Sequence, residues 1–320
     1  LSKDRDYPRL IRRYDQVQRR GLELGHLELA THAANLGAQF ILLSGNPLSK
    51  TREILRERGE RARELHVVRT AWAIAKFEQL AECLQTPWER PSELSGTVFR
   101  AQSELERLQN SGDTLGVAGF GLIRSILATF VLDAERAVDL FRETWRSERR
   151  RYEIIYDTTS NAFLHALSAL RVGAHAEAKS LLRYLRRARW ATPGRHRFGG
   201  LSSCLALAAG RSHAALRLGR RSISRALANG FDHEAGLLAE FLGDHWPPTG
   251  TAGSAREWYM IAAQAYAAWG FAPGVERVNA PLSPGTRIRV PGETPENGPT
   301  QVRQTHGLQL GRSGSDRHAD

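Results

Sequence analysis

The chain has little of what usually marks a secreted, membrane or catalytic protein. Its 320 residues include two cysteines, Cys83 and Cys204. So wide a separation excludes a chelating pair and a disulfide framework, and both are expected as small buried helix residues. No apolar run reaches the roughly 18–20 residues that cross a bilayer, and no basic-then-apolar leader opens the chain. The expectation is a cytoplasmic protein without a membrane span. Leu1, standing where Met is usual, points to a fragment, a processed chain or an unusual start codon.

Lysine is nearly absent: arginine outnumbers it 41 to 4, within a net charge of +11. So skewed a ratio reflects coding bias as much as selection for phosphate contacts. The basic clusters "RSERRRY" (146–152), "RYLRRARWATPGRHR" (183–197) and "RLGRRSISR" (216–225) fall in or beside amphipathic helices. They are expected as solvated helix faces, with nucleic-acid binding the lesser reading.

Catalytic and metal-binding patterns are missing too. Eleven histidines are scattered along the chain, without HExxH. No G-x-S-x-G elbow occurs. His175 and His233 are expected at helix starts, capping or exposed. "FDHE" (231–234) has ligand-type side chains, but neighbouring positions on a helix diverge. No catalytic, cofactor-binding or metal-binding residue is therefore expected, and no cofactor.

One stretch imitates a phosphate-binding loop. "SGNPLSKT" (44–51) follows the apolar "AQFILL" and ends in Lys50-Thr51. In G-x-x-x-x-G-K-[ST] the glycines let backbone N–H groups wrap the phosphates. Here Ser44 and Ser49 occupy the two glycine positions, and Pro47 removes a donor. "AQFILL" also continues a helical stripe from Leu27, Leu29, Ala33 and Leu36. The stretch is read as a corner: one helix ends at Gly45, Asn46 caps the next and Pro47 opens it.

What is abundant is helical periodicity. Hydrophobic residues are 41% of the chain, enough for a core. They recur at three and four rather than alternating. In 176–190, Ala178, Leu181, Leu182 and Leu185 form one stripe, with Arg183, Arg186 and Arg187 off it. In 69–84, Trp72, Ile74, Ala75, Phe77, Leu80, Ala81 and Leu84 form a stripe so wide that the helix is expected to be buried over much of its circumference. The pattern predicts helices of about 12 to 20 residues. Breaks are expected near Gly25, Gly45, Gly112, Gly173, Gly210, Gly230 and Gly250. Pro8 and Pro47 suit first turns, Asp133 suits an N-cap, and the aromatic residues suit packing between helices.

"VGAHAEAKSLL", "LAAGRSHAALRLG" and "GTAGSAREWYM" repeat one theme: a small or Gly turn, then an Ala-rich helix start. A helical hairpin cannot bury its face alone, so neighbours stack. The fold expected for residues 1–278 is all-α, a TPR-like antiparallel helix-hairpin solenoid. The strict 34-residue consensus is absent, which leaves an irregular α-bundle as the alternative. Residues 279–320 are rich in Pro, Gly, Ser and Thr and read as a flexible, disordered tail or linker. "TRIRV" within it would make a short strand without a partner.

Two stretches carry a family resemblance. "NGFDHEAGLLAEFLGDHW" (229–246) and "AREWYMIAAQAYAAWG" (255–270) resemble the end of the helical-repeat region in large bacterial multidomain signalling proteins. In that family a Ser/Thr kinase-like domain and a STAND-type AAA ATPase precede the repeats. A GAF sensor with a histidine kinase or diguanylate cyclase follows them. The family's Gly-Phe-x-His-Glu start is matched by Gly230, Phe231, His233 and Glu234, and its A-x-x-x-Y-x-x-W-G close by Ala262, Tyr266, Trp269 and Gly270. "LHVVRTAWAIAKFEQLAECLQ" (65–85) and "ELSGTVF" (93–99) are similar to a helix and a Leu-x-Gly turn of the same region. The likeness covers about residues 8–278. Phe271, where the family has Ala, and the "PGVERV" that follows are departures, and predict a weaker last helix.

The resemblance implies a non-catalytic regulatory or protein-interaction module, binding a protein partner or neighbouring kinase and ATPase domains on a concave face. It transfers no catalytic residue. The alternatives are the sensor arm of a STAND-type transcription regulator and an Arg-rich nucleic-acid-binding helical protein.

Overall fold

The computed structural model describes residues 7–86, 93–155, 158–188, 192–248, 254–282 and 288. Among them are fourteen α-helices and no strand, the all-α class expected. In chain order they are α1 (Tyr7–Glu23), α2 (Leu27–Leu43), α3 (Leu48–Glu64), α4 (Val68–Gln85), α5 (Ala101–Asn110), α6 (Thr114–Phe130), α7 (Ala134–Ile155), α8 (Thr158–Arg171), α9 (His175–Ala188), α10 (Thr192–Ala208), α11 (Ser212–Ala228), α12 (Asp232–His245), α13 (Ala255–Trp269) and α14 (Ala272–Asn279). No described helix is long and apolar enough to cross a membrane.

The turns repeat one hydrogen-bond pattern. After α1 the Gly25 N–H reaches Leu22 O and the His26 N–H reaches Gly21 O. This is the Schellman ending, which needs one left-handed residue and satisfies two orphan carbonyls. The same pair of bonds closes the turns at residues 112, 173, 210, 230 and 270, all glycines with positive φ. It also closes the turns at His66 (φ 56°) and Leu132 (φ 62°). At these two a side chain is held in the left-handed region because the turn demands it. Gly250 lies outside the described residues. Asp133 precedes α7 as expected, its Oδ1 accepting from Arg136 N–H at 3.3 Å.

Consecutive helices fold back on each other: α1 on α2, α3 on α4, α6 on α7, α8 on α9, α10 on α11, α12 on α13. Between these pairs α2, α4, α6, α8, α10 and α12 pack side by side in that order. Small polar groups stitch the row: Thr31 to Thr70 at 2.8 Å where α2 and α4 begin, and Thr129 to Ser168 at 3.1 Å where α6 and α8 end. As its wide stripe predicts, α4 is buried around most of its surface. Its polar positions are used internally. Gln79 Oε1 accepts from Val98 and Phe99 N–H, and Glu82 accepts from the Thr97 N–H and hydroxyl. These bonds hold the 93–99 turn. In α9, Ala178 and Leu185 are buried while Arg183, Arg186 and Arg187 are exposed. Cys83 and Cys204 are both buried and free.

The row curls until its later helices meet its earlier ones. α14 packs on α4, and Phe130 at the end of α6 lies 4.9 Å from the Trp269 ring. The corner between α2 and α3 is where this meeting is tightest. There α2 ends at Leu43, Ser44 is its C-cap, and Pro47, not Asn46, is the N-cap of α3. Asn46 instead donates its amide to Ser44 Oγ at 2.8 Å. A φ of 77° at Gly45 lets the chain turn there. A Cβ on Gly45 would stand 1.7 Å from the backbone oxygen of Gly230. Thr51, which a nucleotide site would aim at a metal, is buried, with its hydroxyl turned to Asn46 O. The loop-like sequence is a docking corner for the second half of the chain.

The last helix differs from expectation. Phe271 is fully buried between Phe130, Tyr266 and Trp269. Arg277 of "PGVERV" donates to both oxygens of Glu240 and to Phe130 O. The departures from the family pattern therefore anchor α14 instead of weakening it, because the larger ring fills the junction and the guanidinium answers a buried carboxylate. Beyond residue 278 the packing continues. Leu282 is buried, and the Asn279 amide pairs with the Ile288 backbone through bonds of 2.6 and 3.1 Å. The remainder of "TRIRV" lies outside the described residues.

Candidate functional site

Where the two halves meet, the N-terminal parts of α8, α10 and α12 converge with the first residue of α1. They bring together Tyr7, Thr159, Ser160, His196, Arg197, His233 and Glu234, all within 3% exposure. This is the largest concentration of ionisable chemistry in the described interior.

Glu234 is the centre. Its carboxylate accepts from Arg197 Nε at 2.9 Å and Nη2 at 2.7 Å, and from Ser160 Oγ at 3.4 Å. Arg197 extends outward from that pair. Its Nη1 donates to Thr159 Oγ1 at 2.6 Å and its Nη2 to the Tyr7 hydroxyl at 2.8 Å. A planar guanidinium can serve so many acceptors at once because its donors radiate in a fixed fork. Beneath it lies the Phe231 ring, 5.6 Å from the guanidinium carbon.

His196 Nε2 stands 2.5 Å from Glu234 Oε2. A carboxylate can only accept, so the proton sits on Nε2 and Nδ1 is bare. Burial pushes the His196 pKa down and outweighs the neighbouring carboxylate, so His196 is a neutral donor. The positive charge opposite Glu234 comes from Arg197. Burial alone would raise the Glu234 pKa, but Arg197 and the hydrogen bonds hold it well below the usual range.

His233 faces the other way. It is fully buried, which corrects the expectation of a capping or exposed histidine. The residue before the helix, Phe231, occupies the N-cap, so position 233 is turned inward. Its ring lies 5.1 Å from Trp269, 6.1 Å from Phe231 and 6.4 Å from Phe130. Neither ring nitrogen has a hydrogen-bond partner, and burial pushes its pKa down to about 4. His175, by contrast, is exposed at the start of α9, as expected.

A folded pKa below the unfolded value of 6.5 means the unfolded chain takes up the proton first, so stability is present above pH 6.5 and falls as pH drops toward 4. Between pH 7 and pH 5 the His233 contribution is a loss of about 2 kcal/mol. Urea melts at the two pH values should show it, and His233→Phe should remove that part of the difference. An unchanged difference in the variant would place the titration elsewhere.

Both stretches that carry the family resemblance meet here. Tyr266 donates its hydroxyl to Glu240 Oε2 at 2.6 Å. Its ring presses on Gly236, where a Cβ would approach within 2.4 Å. Trp269 packs on His233, and Gly270 is the left-handed cap that turns α13 into α14. His233 and Glu234 do not converge on a common point, as their adjacency implied. Among the described residues no group of His, Cys, Asp and Glu could hold a metal. The residues that sequence reasoning missed are Arg197, His196 and Tyr7. In the sequence Arg197 and His196 stand out only as part of the 183–197 basic cluster. Tyr7 lies 190 positions from its partner.

No protein-family model matches the chain, and no curated protein is significantly similar to it in sequence.

What this arrangement can do chemically is hold. Every charge in it is answered, all of it is buried, and its bonds tie the beginnings of different helices together. A partly opened state would break several bonds together, because the side chains share partners.

Proposed function

We propose that the chain is a non-catalytic, TPR-like helical-repeat module of a bacterial, cytoplasmic signal-transduction protein, engaging a protein partner or neighbouring kinase and ATPase domains. The observation that carries this reading is an apolar edge left open at the tips of the first two hairpins. Leu24, Leu27 and Leu29 surround the α1–α2 turn and are each more than half exposed. Leu65 and Val68 flank the α3–α4 turn at 55% and 74%. The Thr31–Thr70 bond holds the two tips together. Large apolar side chains grouped on one edge gain by being covered, and such patches mark interaction sites.

The junction of the two halves is filled by Phe130, His233, Trp269 and Phe271, whereas the hairpin tips are open. A partner on the hairpin tips would bias the curl of the row, and a second conformational state is what signal transfer needs. The resemblance supplies the partner class, and the helical-hairpin construction is compatible with it.

Immunoblotting with an antibody against residues 1–278 sizes the native polypeptide. The expected result is a band far above 35.6 kDa. Changing Leu27 and Val68 together to Asp in that polypeptide should uncouple its kinase or ATPase output from control, with the fold intact. A native band at 35.6 kDa that crosslinks to no protein in cells would overturn the proposal.

A further inference from the structure

Away from the junction, α5, α6 and α7 line a partly open cavity of about 520 Å³. Small-molecule sites typically occupy about 300–1,000 Å³ and combine apolar walls with a few polar groups. Here the walls include Leu105, Leu108, Val117, Phe120 and Leu140, and two guanidinium groups, Arg124 and Arg136, line the space together with the carboxylates of Asp113 and Glu143.

Among the described residues neither arginine forms an ion pair. Arg124 is half-buried, its head 6.0 Å from the centre of the Phe120 ring. Its buried Nε–H has no acceptor. Burial, and then the like charge of Arg136, push its pKa down, against a weaker pull from Glu93 and Glu143. The carboxylates nearby do not fill the gap. Asp113 is engaged as the N-cap of α6, its Oδ1 accepting from Gly116 N–H at 2.8 Å. Glu143 also lines the space, but it is an exposed residue and makes no ion pair with Arg124. A buried donor without an acceptor is costly, and two neighbouring cations repel. One anion between them would remove both penalties.

We propose that this cavity binds an amphipathic anion, a small apolar body ending in a carboxylate or a phosphate that Arg124 and Arg136 grip together. Guanidinium groups match both head groups through paired, charge-assisted bonds. The apolar body would lie against Leu105, Leu108, Val117 and Leu140. Such a ligand touches three helices at once and would tie α5, which packs chiefly on α6, to α7. The site stands independently of the partner-binding reading, since it needs no second protein.

Calorimetric titration of the full chain with octanoate, octyl phosphate and octanol tests it. Saturable, mutually competing binding of the two anions is expected, with octanol much weaker. Tighter binding of octyl phosphate assigns a phosphate head group, and tighter octanoate binding a carboxylate. Arg136→Gln changes an exposed residue, so the fold should survive, as a circular-dichroism melt would verify. It should weaken the preferred anion about tenfold or more. Val117→Trp, which fills the half-buried wall, should remove binding of both anions. Octanol binding as well as the anions do, unchanged affinity in Arg136→Gln, or no saturable binding by any probe overturns the proposal.

Discussion

Glu234→Leu should destabilise the chain by about 3–5 kcal/mol, because it leaves Arg197 fully buried with its charge unanswered. The size of the loss comes from desolvation. Arg197 has 0% exposure, and Thr159 and Tyr7 offer it only neutral acceptors. Arg197→Met should be comparably damaging, since it strands the carboxylate. The double variant should recover much of the loss, because two apolar side chains of similar volume replace a buried pair at little net cost. The coupling between the sites, the sum of the two single losses less that of the double variant, should be at least about 3 kcal/mol in urea melts. Additive single and double effects would mean the pair is not a unit. Loss of the pair should also release the start of α1, since Tyr7 is tied in through Arg197. Proteolysis near residues 7–23 should accelerate in either single variant.

Gly45→Ala should have the other large effect, a loss of about 2–5 kcal/mol. Two penalties add. A side chain at φ 77° is held in the left-handed region, which costs about 1–2 kcal/mol. Its Cβ would also overlap the Gly230 carbonyl, and forcing bulk into a packed contact costs about 1–3 kcal/mol more. Gly25→Ala is the control. Gly25 has nearly the same φ, 74°, and open space around the would-be Cβ, so it should pay only the first penalty. The difference between the two variants in denaturant midpoint measures the approach of the two halves. Equal losses would mean that the α2–α3 corner and the α11–α12 turn are not pressed together in solution.

Much of the local structure is legible in the sequence. The stripes of 69–84 and 176–190 became α4 and α9, buried and exposed on the faces the spacing indicated. Six of the glycines named as breaks adopt the left-handed conformation. A glycine announces such a turn because little else tolerates it. His66 and Leu132 show the limit of that signal. Their turns have the same hydrogen bonds as the glycine turns but are made by residues whose own preference argues against them. There the flanking helices impose the conformation.

The charge cluster was illegible for a different reason. Glu234 and Arg197 are 37 positions apart and Arg197 and Tyr7 are 190 apart. Whether such residues meet depends on the sum of many inter-helix rotations, and a small error in each moves a distant side chain by more than a hydrogen bond's reach. For the same reason the "SGNPLSKT" stretch could be recognised as a corner without revealing that Gly230 rests on it.

The amino-acid sequence by itself determined that this protein is helical, where most helices turn, and which faces are apolar. Those properties arise from interactions over three or four residues. Only the tertiary structure decided that the row of helices curls onto itself and that a ring of aromatic side chains fills the junction. It alone set His233 inside and brought two arginines to the lining of one cavity. Those outcomes depend on long-range packing, where the energy of each contact is felt only after the chain has brought its distant parts together.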